Sequence, residues 1–318
     1  MRRSSRVGQA ALALATVAIA VGLATRRTGD LSGFTTEEGA RRYVNAYDEV
    51  LAIWPVGYGE RNLPTPFGDT HIIVCGPETA PPLLLLHATG TSSTGWLLNV
   101  GPLSAAYRVY AVDIVGEAGK SHQSRLLHNR ADCVAWFSAV LDGLGLDTVR
   151  LAGWSFGGWL SLNFLLAAPE RIERAVLIAP YASLAPSSIA VLVGLKVGPY
   201  LPIGPPGRLS LRLMTPDFDF PEPFAHQFAL GGRYFRASNP RRSVFPAPYS
   251  EEELRSVSVP TLLLVGDKER TFDPQCALAI GTRLVPNLKA ALLTGGSHLL
   301  AMDKAQEVNE RMLNFLNS

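Results

Sequence analysis

The chain is predicted to be an α/β protein: a mostly parallel sheet covered by helices on both faces, with a helical lid inserted between two strands. Three observations carry this expectation. Short apolar runs alternate with segments of helical periodicity from Leu83 to Ile178, and again from Thr261 to Leu316, which is the rhythm of parallel strands joined by crossover helices. That rhythm stops between Pro180 and Pro260, where proline, glycine and aromatic residues accumulate and no strand pattern interrupts them. A glycine-flanked serine, Gly153-Trp154-Ser155-Phe156-Gly157, lies where an apolar run meets a helical one.

At 318 residues and 47% hydrophobic content the chain can bury a large core, as one α/β domain with an insertion or as two domains. The spacing favours a division into residues 1–30, a core from 31–180 and 260–318, and the inserted lid over 181–259. The formal charge is +2, but five arginines, Arg2, Arg3, Arg6, Arg26 and Arg27, lie in the first 30 residues. The remainder is close to neutral, so no basic face for nucleic acid is implied. Cys75, Cys133 and Cys276 are odd in number and widely spaced, which argues for buried thiols rather than a disulfide framework or a metal cluster.

Val7 to Ala24 is apolar apart from Gln9 and Thr16 and has arginines on both flanks. As a helix it would reach roughly 27 Å, enough for a thin bilayer. Small residues at Ala18, Ala20 and Ala24 suit a signal peptidase, whereas Arg26 and Arg27 oppose translocation. The expectation is association with a membrane through residues 7–24, as an uncleaved anchor or an export signal. A cytoplasmic protein with an alanine-rich helix lying on the domain is the alternative.

After a short linker, Thr35-Thr36-Glu37-Glu38 offers a capping box for a helix running to about Ile53, which Trp54-Pro55 ends. Tyr58 to Pro66 and Thr70 to Cys75 read as an antiparallel pair about the Phe67-Gly68-Asp69 turn. Strands follow at Leu83–Leu86, Arg108–Val112, Val149–Ala152 and Ala175–Ile178, with helices near Trp96–Ala105, Ala131–Leu144 and Phe156–Ala168. Within the insertion, Ala190–Lys196 and Phe224–Arg236 carry helical patches. Thr261–Val265 resumes the sheet, followed by a helix over Pro274–Leu284, a strand over Ala290–Leu293 and a closing helix over Lys304–Leu316.

Ser155 on a sharp strand-to-helix turn has the character of a nucleophile, because such a turn exposes the hydroxyl and leaves the Phe156 N–H free for a developing oxyanion. A serine nucleophile needs a base, and the base needs an acid, from loops at the same strand ends. His298, in the glycine-rich loop after the last strand, suits the base. The acid belongs in Gly266-Asp267-Lys268-Glu269-Arg270-Thr271-Phe272-Asp273-Pro274. There Glu269 has the reach, Asp267 is the alternative, and Asp273 before Pro274 suits a helix cap. A second oxyanion donor is expected from Thr89 in His87-Ala88-Thr89-Gly90. His87 at that strand end suits fixing the loop by hydrogen bonds. Trp154 and the aromatic residues Phe224 and Phe228 are expected to contact substrate.

Over roughly residues 43–316 the chain resembles the α/β-hydrolase family, in a bacterial carboxylesterase-type branch. The resemblance rests on WPVGYGERNLPTPFGDTHIIVCGP, HATGTSS, Tyr110 to Gly116 followed by Lys120-Ser121, GWSFGG, GDKERTFDP and GGSHLL. It implies an α/β-hydrolase fold with Ser155 as nucleophile and His298 as base. It also implies that the acid is the third residue after the strand-end glycine, which is Glu269. His87-Ala88 replaces the usual His-Gly pair of the oxyanion loop. The implied activity is hydrolysis of a carboxylic ester or related acyl bond through an acyl-enzyme, on a small-molecule acyl substrate, requiring neither metal nor organic cofactor. Acyl transfer or cyclisation with the same triad is one alternative. A membrane-tethered binding module without turnover is the other, from a different class.

Overall fold

The computed structural model describes residues 31–188, 211, 215, 217–238 and 242–318. The apolar stretch 7–24 and the helical patch expected over Ala190–Lys196 lie outside them. In chain order the first elements are β1 (Gly33–Phe34), α1 (Glu37–Ala52), β2 (Tyr58–Thr65), β3 (Gly68–Cys75) and β4 (Pro82–Leu86). There follow α2 (Val100–Ser104), β5 (Arg108–Val112), β6 (His122–Gln123), α3 (Arg130–Leu144), β7 (Val149–Trp154), α4 (Phe156–Ala167) and β8 (Ile172–Ile178). The remaining elements are α5 (Glu222–Tyr234), β9 (Phe235–Arg236), α6 (Glu251–Ser256), β10 (Thr261–Gly266), α7 (Pro274–Leu284), β11 (Leu288–Leu293), α8 (Leu300–Asp303) and α9 (Ala305–Leu316).

The main sheet runs β11-β10-β8-β7-β4-β5-β3-β2, with β6 also on β3. From β5 to β11 all pairings are parallel, whereas β3 is antiparallel to β5, β2 and β6. Period-two alternation divides each central strand between two apolar layers. Leu84 and Leu86 of β4 face the layer formed with α3, α4 and α7, through Trp136, Phe137, Phe164 and Ala277. Leu83 and Leu85 face the other layer, with Tyr43 and Tyr47 of α1, Leu103 of α2 and Met312 of α9. Both faces of β4 are therefore dry, which is why Leu83–Leu86 is a continuous apolar run.

Local chemistry sets the helix ends. Thr36 caps α1 by accepting the Gly39 N–H at 3.0 Å, and Asn129 caps α3 through the Asp132 N–H at 2.9 Å. Asp273 accepts the Cys276 N–H at 2.9 Å and caps α7, as its place before Pro274 suggests. The helix expected over Trp96–Ala105 is instead a 3-10 turn, Ser93–Trp96, followed by α2. Proline is accommodated only in the first turn of a helix, so Pro102 makes Val100 the start. The closing helix begins at Ala305, one residue after the expected Lys304, whose φ of −127° is not helical.

The inserted segment departs most from expectation. A strand does interrupt it: Phe235–Arg236 leaves the end of α5 and pairs antiparallel with Gly33–Phe34, forming a small separate sheet. Its last part belongs with the body, because Tyr249, Leu254, Val257 and Val259 are buried in the α3/α4 layer. Helix α5 lies on α1. A side chain at Gly39 would press into the Tyr234 ring at 2.7 Å, Phe34 packs on Phe235 with centroids 5.2 Å apart, and the Thr35 N–H donates to Tyr234 O at 2.8 Å. Among the described residues no helix is long and apolar enough to cross a membrane.

Candidate active site

The parallel strands end on a common edge, and the turn after β7 is the sharpest feature there. Ser155 has φ 54° and ψ −111°, a left-handed conformation costly for a residue with a side chain. The surroundings hold it: its N–H donates to Ile178 O at 2.8 Å, and its carbonyl accepts from Trp159 and Tyr181 at 3.0 and 3.2 Å. Glycine flanks the turn because a Cβ on Gly153 would collide with the Gly157 carbonyl oxygen, and one on Gly157 with that of Leu86. As the first residue of α4, Phe156 has no intrahelical acceptor for its N–H.

His298 arrives from the loop after β11, which is pinned from several sides. Asp267 accepts the Gly295 N–H at 2.7 Å, Asp303 the Ser297 N–H at 2.9 Å, and Gly296 O accepts from Lys268 N–H at 2.9 Å. The imidazole meets Ser155 Oγ through Nε2 at 2.7 Å and Glu269 Oε2 through Nδ1 at 2.6 Å. A carboxylate only accepts, so Nδ1 carries the proton and Nε2 is left to accept from the serine hydroxyl.

Glu269 is fully occupied on its other oxygen, which accepts the Arg270 N–H, the Thr271 N–H and the Thr271 hydroxyl at 2.8, 2.7 and 2.9 Å. Burial by itself raises this carboxyl, but the His298 imidazole and the Thr271 donors outweigh it and hold it below the usual range. Asp267 is exposed and spends its oxygen on Gly295, so the structure brings Glu269, not Asp267, to the imidazole.

The loop after β4 closes the edge. Ala88 O accepts from His87 Nδ1–H, Thr91 N–H and the Thr91 hydroxyl at 2.9, 3.1 and 2.8 Å. In a trans peptide the N–H points opposite to the carbonyl, so pinning Ala88 O inward turns the Thr89 N–H away from the interior. The other His87 nitrogen accepts the Ile114 N–H at 2.9 Å. With both nitrogens committed to backbone and burial lowering its pKa, His87 fixes the loop and has no capacity to act as a base. The Gly157 N–H donates to His87 O at 3.2 Å and joins this loop to the Ser155 turn.

Trp154 requires correction. Expected at the substrate, it is fully buried. As the residue after inward-packed Gly153 it points to the opposite sheet face, edge-on to Trp96 at 6.3 Å, and its Nε1–H donates to His298 O at 2.9 Å. It braces the histidine backbone. Phe224 is also buried, stacked between Phe220 and Phe228 at 6.0 and 6.4 Å. Phe228 is half-buried and stands over the Thr89 loop, 3.7 Å from where a Gly90 side chain would begin.

Three residues that sequence reasoning did not single out belong to this edge. Gln227 of α5 is buried, accepts from the Thr94 hydroxyl at 2.7 Å, and donates to the Tyr43 hydroxyl and Ser92 Oγ, both at 3.0 Å. Tyr47 OH lies 2.6 Å from Ser93 Oγ, so α1 and α5 both reach the loop that carries Thr89. Glu117, in the loop after β5, accepts the Gly90 N–H at 3.1 Å. Its signal was positional: the strand neighbouring β4 ends beside Thr89, so the loop that follows it lies within reach.

A family model described as the alpha/beta hydrolase family matches residues 83–311. A Bacillus subtilis (strain 168) protein named carboxylesterase YbfK is 37% identical over 295 residues, covering 90% of this chain and 97% of the relative. An uncharacterized carboxylesterase of the same strain, nap, is 37% identical over 284 residues, 87% of this chain and 93% of its own. Among solved structures, the naproxen esterase (carboxylesterase NP) of Bacillus subtilis aligns with a TM-score of 0.83 at 35% identity, over 88% of this chain and 99% of that one. With the strand order, the strained turn and the strand-end loops agreeing with a match of this extent, the chain belongs to the alpha/beta hydrolase family.

Proposed function

We propose that this protein is a serine carboxylesterase that cleaves small-molecule esters through an acyl-enzyme, with Ser155, His298 and Glu269 as its triad. The observation that carries the reading is the continuous relay from Ser155 Oγ to His298 at 2.7 Å and on to buried Glu269 at 2.6 Å. Ser155 Oγ attacks the ester carbonyl as His298 Nε2 takes its proton, and ionised Glu269 stabilises the imidazolium. The N–H groups of Thr89 and Phe156 hold the oxyanion. Collapse expels the alcohol, protonated by His298; water, activated by the same imidazole, then releases the acid. The carboxylesterase names of the Bacillus relatives support ester substrates.

The test is turnover of an ester panel by the purified chain together with fluorophosphonate labelling. Ser155→Ala should abolish both while the melting temperature changes by only a few degrees, because the strained backbone is common to serine and alanine. Substantial esterase activity in Ser155→Ala would defeat the assignment.

Within the same reading, the segment 181–259 serves as a lid whose Phe228 lines the acyl site. The apolar run of residues 7–24, long enough for a thin bilayer and bracketed by arginines, supports tethering of the enzyme to a membrane. Recovery of the intact chain in the soluble fraction of cells would defeat the tether, and a mature N-terminus near residue 25 would replace it with export.

A further inference from the structure

Glu117 is a carboxyl at the strand-end edge for which the triad has no use. It follows Gly116, whose φ of 96° turns the loop after β5 toward β4. Its Oε2 accepts the Gly90 N–H at 3.1 Å, and the neighbouring Thr89 side chain also favours its ionised form. These are the two residues on either side of the peptide that follows the Thr89 N–H. The preceding peptide, Ala88–Thr89, is fixed by three donors on Ala88 O. Gly90, at φ 78°, has no side chain to fix the next plane.

We propose that Glu117 is the positioning residue of the oxyanion loop: by holding the Gly90 N–H it fixes the peptide after Thr89, as the Ala88 O contacts fix the one before, and so keeps the Thr89 N–H aimed at the reacting oxygen. The inference rests on the esterase reading above. A carboxylate accepts the Gly90 N–H more strongly than a protonated carboxyl, one of whose oxygens must donate, so the ionised form is the one that orders the loop.

That ionisation falls in a useful range. Burial pushes the Glu117 carboxyl up to about 7, against the pull of the Gly90 N–H and the Thr89 side chain. The titratable groups facing this region are Tyr43 from α1, Asp113 from the end of β5, His71 from β3 and His87 from the loop itself. Burial raises Tyr43 far above neutrality, with Asp113 and Glu117 adding to it. Burial would raise Asp113, but its hydrogen bond and charge interaction with His71 bring it to about 2. His71 is opposed by burial but raised by Asp113 and Glu60, and burial lowers His87. On the outer side, His226 of α5 faces Glu49, and Lys120 faces Asp48 and Glu60.

The test compares kcat and KM for a p-nitrophenyl ester between the wild-type protein and Glu117→Gln across the neutral range. Glutamine imitates the protonated acid and does not titrate, so ionisations shared by both proteins cancel in the ratio. The ratio of kcat values, wild type over variant, should be near one at acid pH and rise about five- to tenfold through neutrality, with KM changing less than twofold. Thr89→Ala, which removes the hydroxyl beside Glu117 and leaves the N–H, should lower kcat about threefold in the wild-type background and not in Glu117→Gln. A ratio independent of pH, or an effect confined to KM, would overturn the proposal. Should Glu117→Gln fail to fold, the Thr89→Ala result decides alone: an unchanged kcat overturns it. A wild-type protein with no Ser155-dependent turnover would overturn the esterase reading and this inference with it, whereas an active wild type with a flat ratio overturns this inference only.

Discussion

Glu269→Gln and Asp267→Asn give the sharpest separation between the two carboxylates that compete for the imidazole. Oε1 of Glu269 faces three donors, from Arg270 and Thr271, while Oε2 faces His298 Nδ1. A glutamine in that seat must keep its carbonyl oxygen against the three donors, so it presents its amide NH2 to the imidazole. The imidazole then accepts at Nδ1 and carries its proton on Nε2, where it can no longer take the proton of Ser155. Tautomer inversion of this kind lowers turnover roughly 10⁴-fold, equivalent to about 5.5 kcal/mol of transition-state stabilisation. Asp267 is exposed, and its bond to the Gly295 N–H is one that an asparagine oxygen still accepts. Its replacement should cost less than about 1 kcal/mol, or about fivefold. Initial rates on a short p-nitrophenyl ester, with melting temperatures as a check on folding, measure both. A folded Glu269→Gln retaining more than about a tenth of wild-type kcat/KM, or a larger loss in Asp267→Asn, would refute the tautomer argument.

Three further outcomes follow from the packing. Phe228→Ala should change acyl chain-length preference with little loss of stability, whereas Phe224→Ala, a buried truncation, should cost about 3 to 5 kcal/mol in urea unfolding; equal stabilities would contradict their different burial. Asp113 is held down to about 2 despite burial, chiefly by His71, so it contributes stability that is complete above its ordinary 3.8 and is lost as the pH falls toward 2. That contribution is about 2 kcal/mol, and Asp113→Asn should make the acid limb of unfolding free energy shallower; an identical acid limb would sink the assignment. A chain beginning at Gly57 lacks the Tyr43 and Tyr47 hydroxyls that reach Gln227 and Ser93, so its kcat should fall at least tenfold relative to one beginning at Gly33. Equal rates would show that α1 is dispensable to the site.

What was legible in the sequence is what local pattern encodes. Val149–Trp154 and Thr261–Gly266 announce themselves as strands because both faces are dry, and the Ser155 turn because only glycines tolerate its contacts. His298 was legible for the same reason, as a lone imidazole in a glycine-rich strand-end loop. The choice between Glu269 and Asp267 was not settled by residue type, since it depends on which side chain turns inward. Two of the three donors that decide it, the Arg270 and Thr271 N–H groups, are backbone groups without a sequence signature. Trp154 was misread from its neighbourhood to Ser155, although alternation along β7 sends it to the face opposite Gly153. Contacts between residues about 190 apart, such as Gly39 with Tyr234, leave no periodic trace in either segment.

The pairing of Gly33–Phe34 with Phe235–Arg236 bears on how segments can be exchanged among relatives. A chimera that receives only residues 181–259 from a donor brings Tyr234 without its Gly39 seat, Phe235 without Phe34, and Gln227 without the Tyr43 hydroxyl. The transplantable unit is therefore two blocks far apart in the chain, 31–52 together with 217–238, and their mutual packing is inherited only when both travel together.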